Sequence, residues 1–227
     1  MPVNVSGVFA RRLRIEHNDP GTYGGACSPG LTMAKVITII RDEHRSIAAI
    51  LHGMQYLVNE IREYGSKVDL RVFWAMLYYL DTFSERMHHP KEDRYLFQAL
   101  KERTGEGTEV IAELEREHAS GRQALKELEQ CLARFQEGGM REFPGFAEGV
   151  DKFVSGYWDH MRKEEEQVLP LAEKALSPED WKKIDRAFEE NRDPLAADRE
   201  TKDFQKLFSR IVNLAPPPIG VGPAISH

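Results

Sequence analysis

The sequence predicts an all-α protein: an up-down-up-down four-helix bundle with short additional C-terminal helices and an irregular N-terminal arm. Four long stretches place apolar residues three and four positions apart, which is the period of a helix with one buried face. No region alternates apolar and polar residues as a strand does, and the stretches are joined by short connections. Hydrophobic residues make up 41% of the 227 positions, which is enough for a core.

The first predicted helix ends at Gly65, and a second begins near Asp69. The buried face of the first runs in unbroken steps of four and three through Met33, Ile37, Ile40, His44, Ile47, Leu51, Met54, Val58 and Ile61. The buried face of the second contains Phe73, Leu77 and Leu80.

The third and fourth predicted helices have the same period. The third runs from about Thr108 to Gly138, where two glycines end it, and the fourth follows Pro144. The third has its buried face at Ile111, Leu114, His118, Gly121, Leu125, Leu128, Leu132 and Phe135. The fourth has its buried face at Phe146, Val150, Phe153, Tyr157, His160 and Glu164.

Proline and glycine mark the two ends of the chain. Ser177 followed by proline is typical of a helix cap and predicts a short fifth helix to about Glu190. A further short helix fits at about 199–213, before a proline-rich end. The predicted parts are therefore an irregular arm (1–31), a four-helix bundle (32–175), and short helices with a Pro-rich tail (176–227).

Composition excludes several classes of protein. The net charge of −6 disfavours a general nucleic-acid partner, and no stretch approaches the ~18–20 apolar residues that cross a membrane. No apolar run follows Arg11 and Arg12, so we expect no signal peptide and a cytoplasmic location. Only two cysteines occur, far apart, which excludes a disulfide framework and a thiolate zinc site.

Histidine interrupts three of the four apolar faces, at His44, His118 and His160. A buried imidazole needs a polar partner, and one such residue is usually a hydrogen-bonded structural histidine. Three of them in one bundle instead favour a polar site in its core.

The chain also contains an internal repeat. The pattern H-x-x-K-E-acid occurs at residues 88–93 and again at 160–165, and E-H-x-S occurs at 43–46 and 117–120. The repeat predicts two similar helical hairpins. Each brings one histidine on its first helix, and one histidine with one carboxylate on its second.

The spacing H-x-x-x-E places both side chains on one helix face, as for His88 with Glu92 and His160 with Glu164. Pro90 lies within the first pair and is expected to bend the helix. Four histidines and two glutamates in a bundle core form a nitrogen–oxygen site for two metal ions. Without thiolate, this set favours iron first, manganese second and zinc third. The other interpretation of the glutamates is a solvated charged face.

These residues together resemble the hemerythrin-like (HHE cation-binding) domain over about residues 32–175. The resemblance implies a four-helix bundle around two non-haem irons with an oxo or hydroxo bridge. It also implies that the two glutamates bridge the irons, with these six ligands: His44, His88, Glu92, His118, His160 and Glu164.

Two features differ from the oxygen-carrying hemerythrins. Those proteins have a further histidine four residues after the third-helix ligand, where this chain has Arg122. Their last helix ends in H-x-x-x-x-D, whereas Glu164 here follows His160 by four positions. The pattern is similar to the bacterial non-carrier branch, which is linked to oxygen, nitric oxide or peroxide chemistry and to iron sensing. Iron–sulfur repair members have a cysteine-rich N-terminal segment, and this arm has only Cys27.

A fifth histidine ligand is not expected from the sequence. His52 lies one residue off the buried face, about 11 Å along the helix from His44. A regular helix turns His89 about 100° away from His88. Pro90 could relax that angle, which makes His89 the better candidate of the two. Substituting alanine for either spare histidine is therefore expected to leave the iron content unchanged.

Two other residues of the buried faces are expected near the cluster. Tyr157 precedes His160 by one turn and should pack beside it. Gly121 either allows close packing of helices or leaves a gap for a gas molecule.

Several functions fit these residues. The first is a di-iron protein that binds or reduces oxygen, nitric oxide or peroxide, with an electron donor that the sequence does not name. The second is an iron- or oxygen-sensing regulatory module without turnover, and the third a purely structural bundle. A ferritin-like site would need E-x-x-H on two helices. Glu85 and Glu115 have that spacing, but Tyr157 stands at the matching position of the fourth helix.

Overall fold

The computed structural model describes residues 35–190, 206–207 and 209–224, so the predicted N-terminal arm lies outside the described residues. The described part of the chain is built from helices joined by turns and has no strand, which confirms the predicted all-α class. Its main helices are α1 (Lys35–Tyr64), α2 (Arg71–Arg103), α3 (Thr108–Gly138), α4 (Phe143–Ala175) and α5 (Pro178–Glu190).

The ends of these helices follow local chemistry that the sequence reveals. Gly65 terminates α1 in the left-handed conformation, with φ of 64°, and its amide bonds to the Ile61 carbonyl. The Ser177 hydroxyl caps α5 by accepting the Asp180 amide at 3.2 Å. The Asp180 carboxylate accepts the Ser177 amide in return, at 3.0 Å.

Two of the long helices contain π-helical segments, and these coincide with the repeated motif. In α2 the segments are Arg71–Tyr79 (α), Leu80–His88 (π), His89–Lys91 (α), Glu92–Phe97 (π) and Gln98–Arg103 (α). In α4 they are Phe143–Lys163 (α), Glu164–Val168 (π) and Leu169–Ala175 (α).

Proline explains two of these π segments, Leu80–His88 and Glu164–Val168. The amide of His89 bonds to the carbonyl five residues earlier, and so does the amide of Leu169. The next residues, Pro90 and Pro170, have no amide hydrogen and clash with the carbonyl four residues back in a regular helix. A π turn removes that clash, so α2 and α4 continue through their prolines.

The four long helices form an antiparallel bundle in which a buried polar layer separates two apolar clusters. Along α1, residues 36–40 belong to one cluster and residues 47–61 to the other, with His44 between them. Along α3 the chain passes from the first cluster to the second, as it does along α1. Along α2 and α4 it passes from the second cluster to the first. This alternation is the predicted up-down-up-down order.

The shorter C-terminal elements cover the two ends of the bundle. Ile184 and Phe188 of α5 join the first cluster, and the Asp185 carboxylate accepts the Val36 amide at the start of α1. Of the helix predicted at 199–213, the described residues are helical. The segment that follows adds Ala215 to the second cluster. None of the described helices is both long and apolar enough to cross a membrane.

Candidate metal centre

The structure brings all six predicted site residues together in the polar layer, and each is at most 8% exposed. Together with one further histidine they form two groups. Within each group the candidate ligand atoms all lie within 4.8 Å of one another. We call them the two-histidine group (His44, His88, Glu92 and Glu164) and the three-histidine group (His89, His118 and His160).

The carboxylate of Glu164 lies between the two groups. One oxygen, Oε2, is 3.2 Å from Nε2 of His44. The other, Oε1, is 3.3 Å from Nε2 of His160 and 3.6 Å from Nε2 of His118. This is the position that a carboxylate bridging two cations requires.

Glu92 occupies a similar position from the opposite helix. Its Oε2 is 3.4 Å from Nε2 of His88, its own partner in H-x-x-x-E, and 3.9 Å from Nε2 of His118. Its Oε1 is 3.9 Å from Nε2 of His44. The two in-register glutamates of the repeat therefore both face the two groups, which excludes the solvated-face interpretation.

Several buried polar atoms of this layer have no hydrogen-bond partner among the described residues. They are His44 Nε2, His89 Nδ1 and all four carboxylate oxygens of Glu92 and Glu164. An unpaired buried polar atom costs about 1–3 kcal/mol, and more when it is charged. Nitrogen and oxygen donors that converge without sulfur fit iron, manganese or zinc. A pair of such cations would satisfy all of these atoms.

The contact between His118 and His160 also calls for a cation. Their Nε2 atoms lie 3.1 Å apart. The Nδ1 of each ring faces a carboxylate, so each Nδ1 carries a hydrogen. Two nitrogen lone pairs then point at each other unless a proton or a metal ion lies between them.

The outer partners of these histidines come from the repeated motif. In the first hairpin Glu43, the residue before His44, accepts the Nδ1 hydrogen of His88 at 2.8 Å and contacts Lys91. The second hairpin makes the same contacts through Glu117, His160 and Lys163.

Two further carboxylates connect one hairpin to the other. Asp93 accepts the Nδ1 hydrogen of His118 at 2.7 Å, and Glu165 lies 2.9 Å from Nδ1 of His44. Each long helix thus supplies a carboxylate to a histidine of the next, from α1 round to α4 and back to α1. Such partners fix the tautomer that leaves Nε2 free for a metal.

We expect Asp93→Ala and Glu165→Ala each to lower metal affinity by about 10–100-fold, the usual effect of removing an outer carboxylate partner. Glu166→Ala is the matched control, because Glu166 follows Glu165 and forms an ion pair with Arg162 at the surface. Competition with a chelator measures the affinities. Equal affinity in all three variants would contradict a role for these carboxylates.

His89 lies in the site, so the expectation that it turns away is wrong. It is 5% exposed, and its ring stacks on that of His118 with centroids 4.1 Å apart. The prediction started from a regular helix and allowed that Pro90 could relax it. The π segments on both sides of His89 change the direction of its side chain. Burial lowers its pKa to about 4, so the imidazole is neutral at pH 7 and can bind a metal. His52 is exposed, as expected.

His89→Ala should therefore lose about half of the bound metal, because it removes one of the three nitrogen donors of one group and leaves the other group intact. His52→Ala is the control and should keep all of it. Metal analysis after dialysis compares the two. Full metal content in His89→Ala would restore the four-histidine site that the sequence predicts.

Tyr157 lies beside the cluster, as predicted. Its ring centroid is 6.1 Å from that of His160 and 6.0 Å from that of His89. Its hydroxyl donates to Oε1 of Glu85 at 2.6 Å and also contacts Ser84.

Gly121 allows Glu85 to pack closely against α3 and also lines a cavity next to the site. A Cβ atom added there would collide with the carboxylate of Glu85. A cavity of about 470 Å³ between α3 and α4 ends at this place. Its inner wall includes Glu85, His89, Tyr157 and His160.

Other positions separate this centre from related ones. Arg122, where the oxygen carriers have a histidine, is exposed, and His89 supplies the third histidine of its group instead. Glu115, which a ferritin-like site would need, forms a partly exposed ion pair with Lys101. The ferritin-like alternative therefore fails on α3 as well as at Tyr157.

Comparison with protein families agrees with this geometry. The model of the hemerythrin HHE cation-binding domain matches residues 35–172, which span the four long helices and every residue of the two groups. Comparison with curated proteins and with solved structures gives no significant match. The family match covers more than half of the chain, and the chain therefore belongs to the hemerythrin HHE cation-binding domain family.

Proposed function

We propose that this chain is a non-haem di-iron protein that binds or reduces a small ligand, either oxygen, nitric oxide or peroxide. The observation that supports this proposal is the set of unpaired buried nitrogen and oxygen atoms between the two histidine groups. Membership of the hemerythrin family favours iron over manganese and zinc.

Each of the two groups would bind one of the two irons. A bound iron pair supplies electrons and Lewis-acid positions for a small ligand. Glu92 and Glu164 would bridge, since each faces histidines of both groups. The two-histidine group has one imidazole fewer, so the ligand would bind on that side. Apolar clusters above and below the layer limit the access of water.

Metal analysis with optical spectroscopy tests this proposal. We expect about two irons per chain and a changed visible spectrum after nitric oxide is added. Steady-state assays with oxygen, nitric oxide and peroxide then separate reduction from binding without turnover. A folded protein that stays free of metal when offered ferrous iron would rule the proposal out and favour a structural bundle.

A further inference from the structure

Glu85 is a buried carboxylate that has no Lys or Arg partner among the described residues. Its side chain is 1% exposed. Its contacts are the Tyr157 hydroxyl, which donates to Oε1, and the ring of His89. A buried carboxylate is costly unless a positive charge lies close to it. A metal cation beside Glu85 would therefore stabilise this carboxylate.

The distance to His89 indicates where that cation belongs. Oε1 of Glu85 lies 3.6 Å from Nδ1 of His89, the nitrogen that has no hydrogen-bond partner. The oxygens of Glu92 and Glu164 lie between 3.2 and 3.9 Å from the ring nitrogens they face. Glu85 thus stands in the same relation to His89 as the two bridging candidates stand to their histidines.

We propose that Glu85 is a third carboxylate ligand, bound to the metal ion of the three-histidine group. This inference rests on the proposed function, because it requires that the centre holds metal. It makes the two metal positions unequal: one has three imidazoles and a carboxylate of its own, and the other has two imidazoles.

Two neighbours hold the carboxylate in this place. The Tyr157 hydroxyl donates to one lone pair of Oε1 and leaves a second lone pair on that oxygen, the one that faces His89, available. Gly121 on α3 provides the space for the carboxylate, since any side chain there would displace it. Glu85 also stands at the inner end of the cavity between α3 and α4. Bound there, Glu85 would prevent anions that enter through this cavity from reaching the metal ion.

Three variants of the full-length chain test the assignment. Glu85→Gln removes the charge and keeps the shape, and Gly121→Ala displaces the carboxylate without changing it. Gly156→Ala is the matched control: Gly156 also lies in a helix and lines the cavity, but a Cβ there meets nothing within 4 Å. Each variant is loaded with ferrous iron and oxidised. Metal affinity is then measured by chelator competition, and azide binding by visible absorption.

We expect Glu85→Gln and Gly121→Ala to weaken one of the two metal positions by about tenfold or more, and Gly156→Ala to match the wild type. Azide should bind the first two variants more tightly, because a coordination position is vacated. If circular dichroism shows that Gly121→Ala is unfolded, Glu85→Gln alone tests whether Glu85 is a ligand. The assignment is overturned if Glu85→Gln matches Gly156→Ala in both measurements. A wild-type protein without metal would instead defeat the proposed function.

Discussion

Glu164→Ala should leave the protein with almost no bound metal. The carboxylate contacts three histidines from both groups, so its loss removes a donor from each metal position at once. We expect metal affinity to fall by more than about 100-fold, beyond the usual effect of losing an outer partner. The thermal stabilisation that metal gives the folded chain should disappear with it.

Glu166→Ala is the control for this experiment, because that side chain is 65% exposed. The adjacent Glu165 is not an inert control, since it bonds to His44, and its removal should have an intermediate effect. Metal analysis after dialysis, with circular dichroism to verify the helices, makes the comparison. Full metal content in Glu164→Ala would mean that the carboxylate does not bridge.

The fold was predictable because its determinants are local. The apolar period defines each helix and its buried face, and Gly65, Thr108 and Gly138 lie at or next to helix ends in the structure, as the sequence predicts. The up-down order follows from short connections between long helices. The arm of residues 1–31 stays a prediction, because it lies outside the described residues.

The six predicted site residues were recoverable because the repeat marks them twice. His89 was missed because its direction depends on π turns, which a residue count on a regular helix does not reveal. Pro90 lies inside the first motif, whereas Pro170 comes after the second, and these two prolines were the available signal. Glu85 was noticed only for its spacing to His88. Its burial against Gly121 depends on how α2 packs on α3, which no local pattern encodes.

The internal repeat includes the carboxylates that support the histidines as well as the histidines themselves. Residues such as Lys163 and Glu165 have the composition of a solvated surface. In the structure the repeated lysines contact Glu43 and Glu117, and the repeated acids bond to histidines of another helix. Every fixed residue of the H-x-x-K-E-acid pattern therefore belongs to the centre or contacts a residue that supports it. A solvated surface would need charged residues but not this spacing.

Metal affinity should rise steeply with pH between about 7 and 9. In the metal-free protein burial lowers the pKa of His44, but the hydrogen bonds and charges of Glu164 and Glu165 outweigh it and raise that pKa to about 9. Glu164 and Glu117 raise the pKa of His160 to about 9 in the same way, against burial. Both imidazoles are therefore protonated at pH 7, and a metal must displace a proton from each. Two released protons make the affinity rise by up to about 100-fold per pH unit.

The stability of the metal-free protein should change in the opposite direction. A histidine pKa raised from 6.5 to about 9 contributes stability that is fully present below pH 6.5 and is lost as the pH rises to 9. Chelator competition measures the metal affinity from pH 6 to 9, with Zn²⁺ as the metal because it is not oxidised. Thermal unfolding of the metal-free protein over the same range measures the stability. An affinity that does not vary between pH 7 and 9 would show that both imidazoles are already neutral.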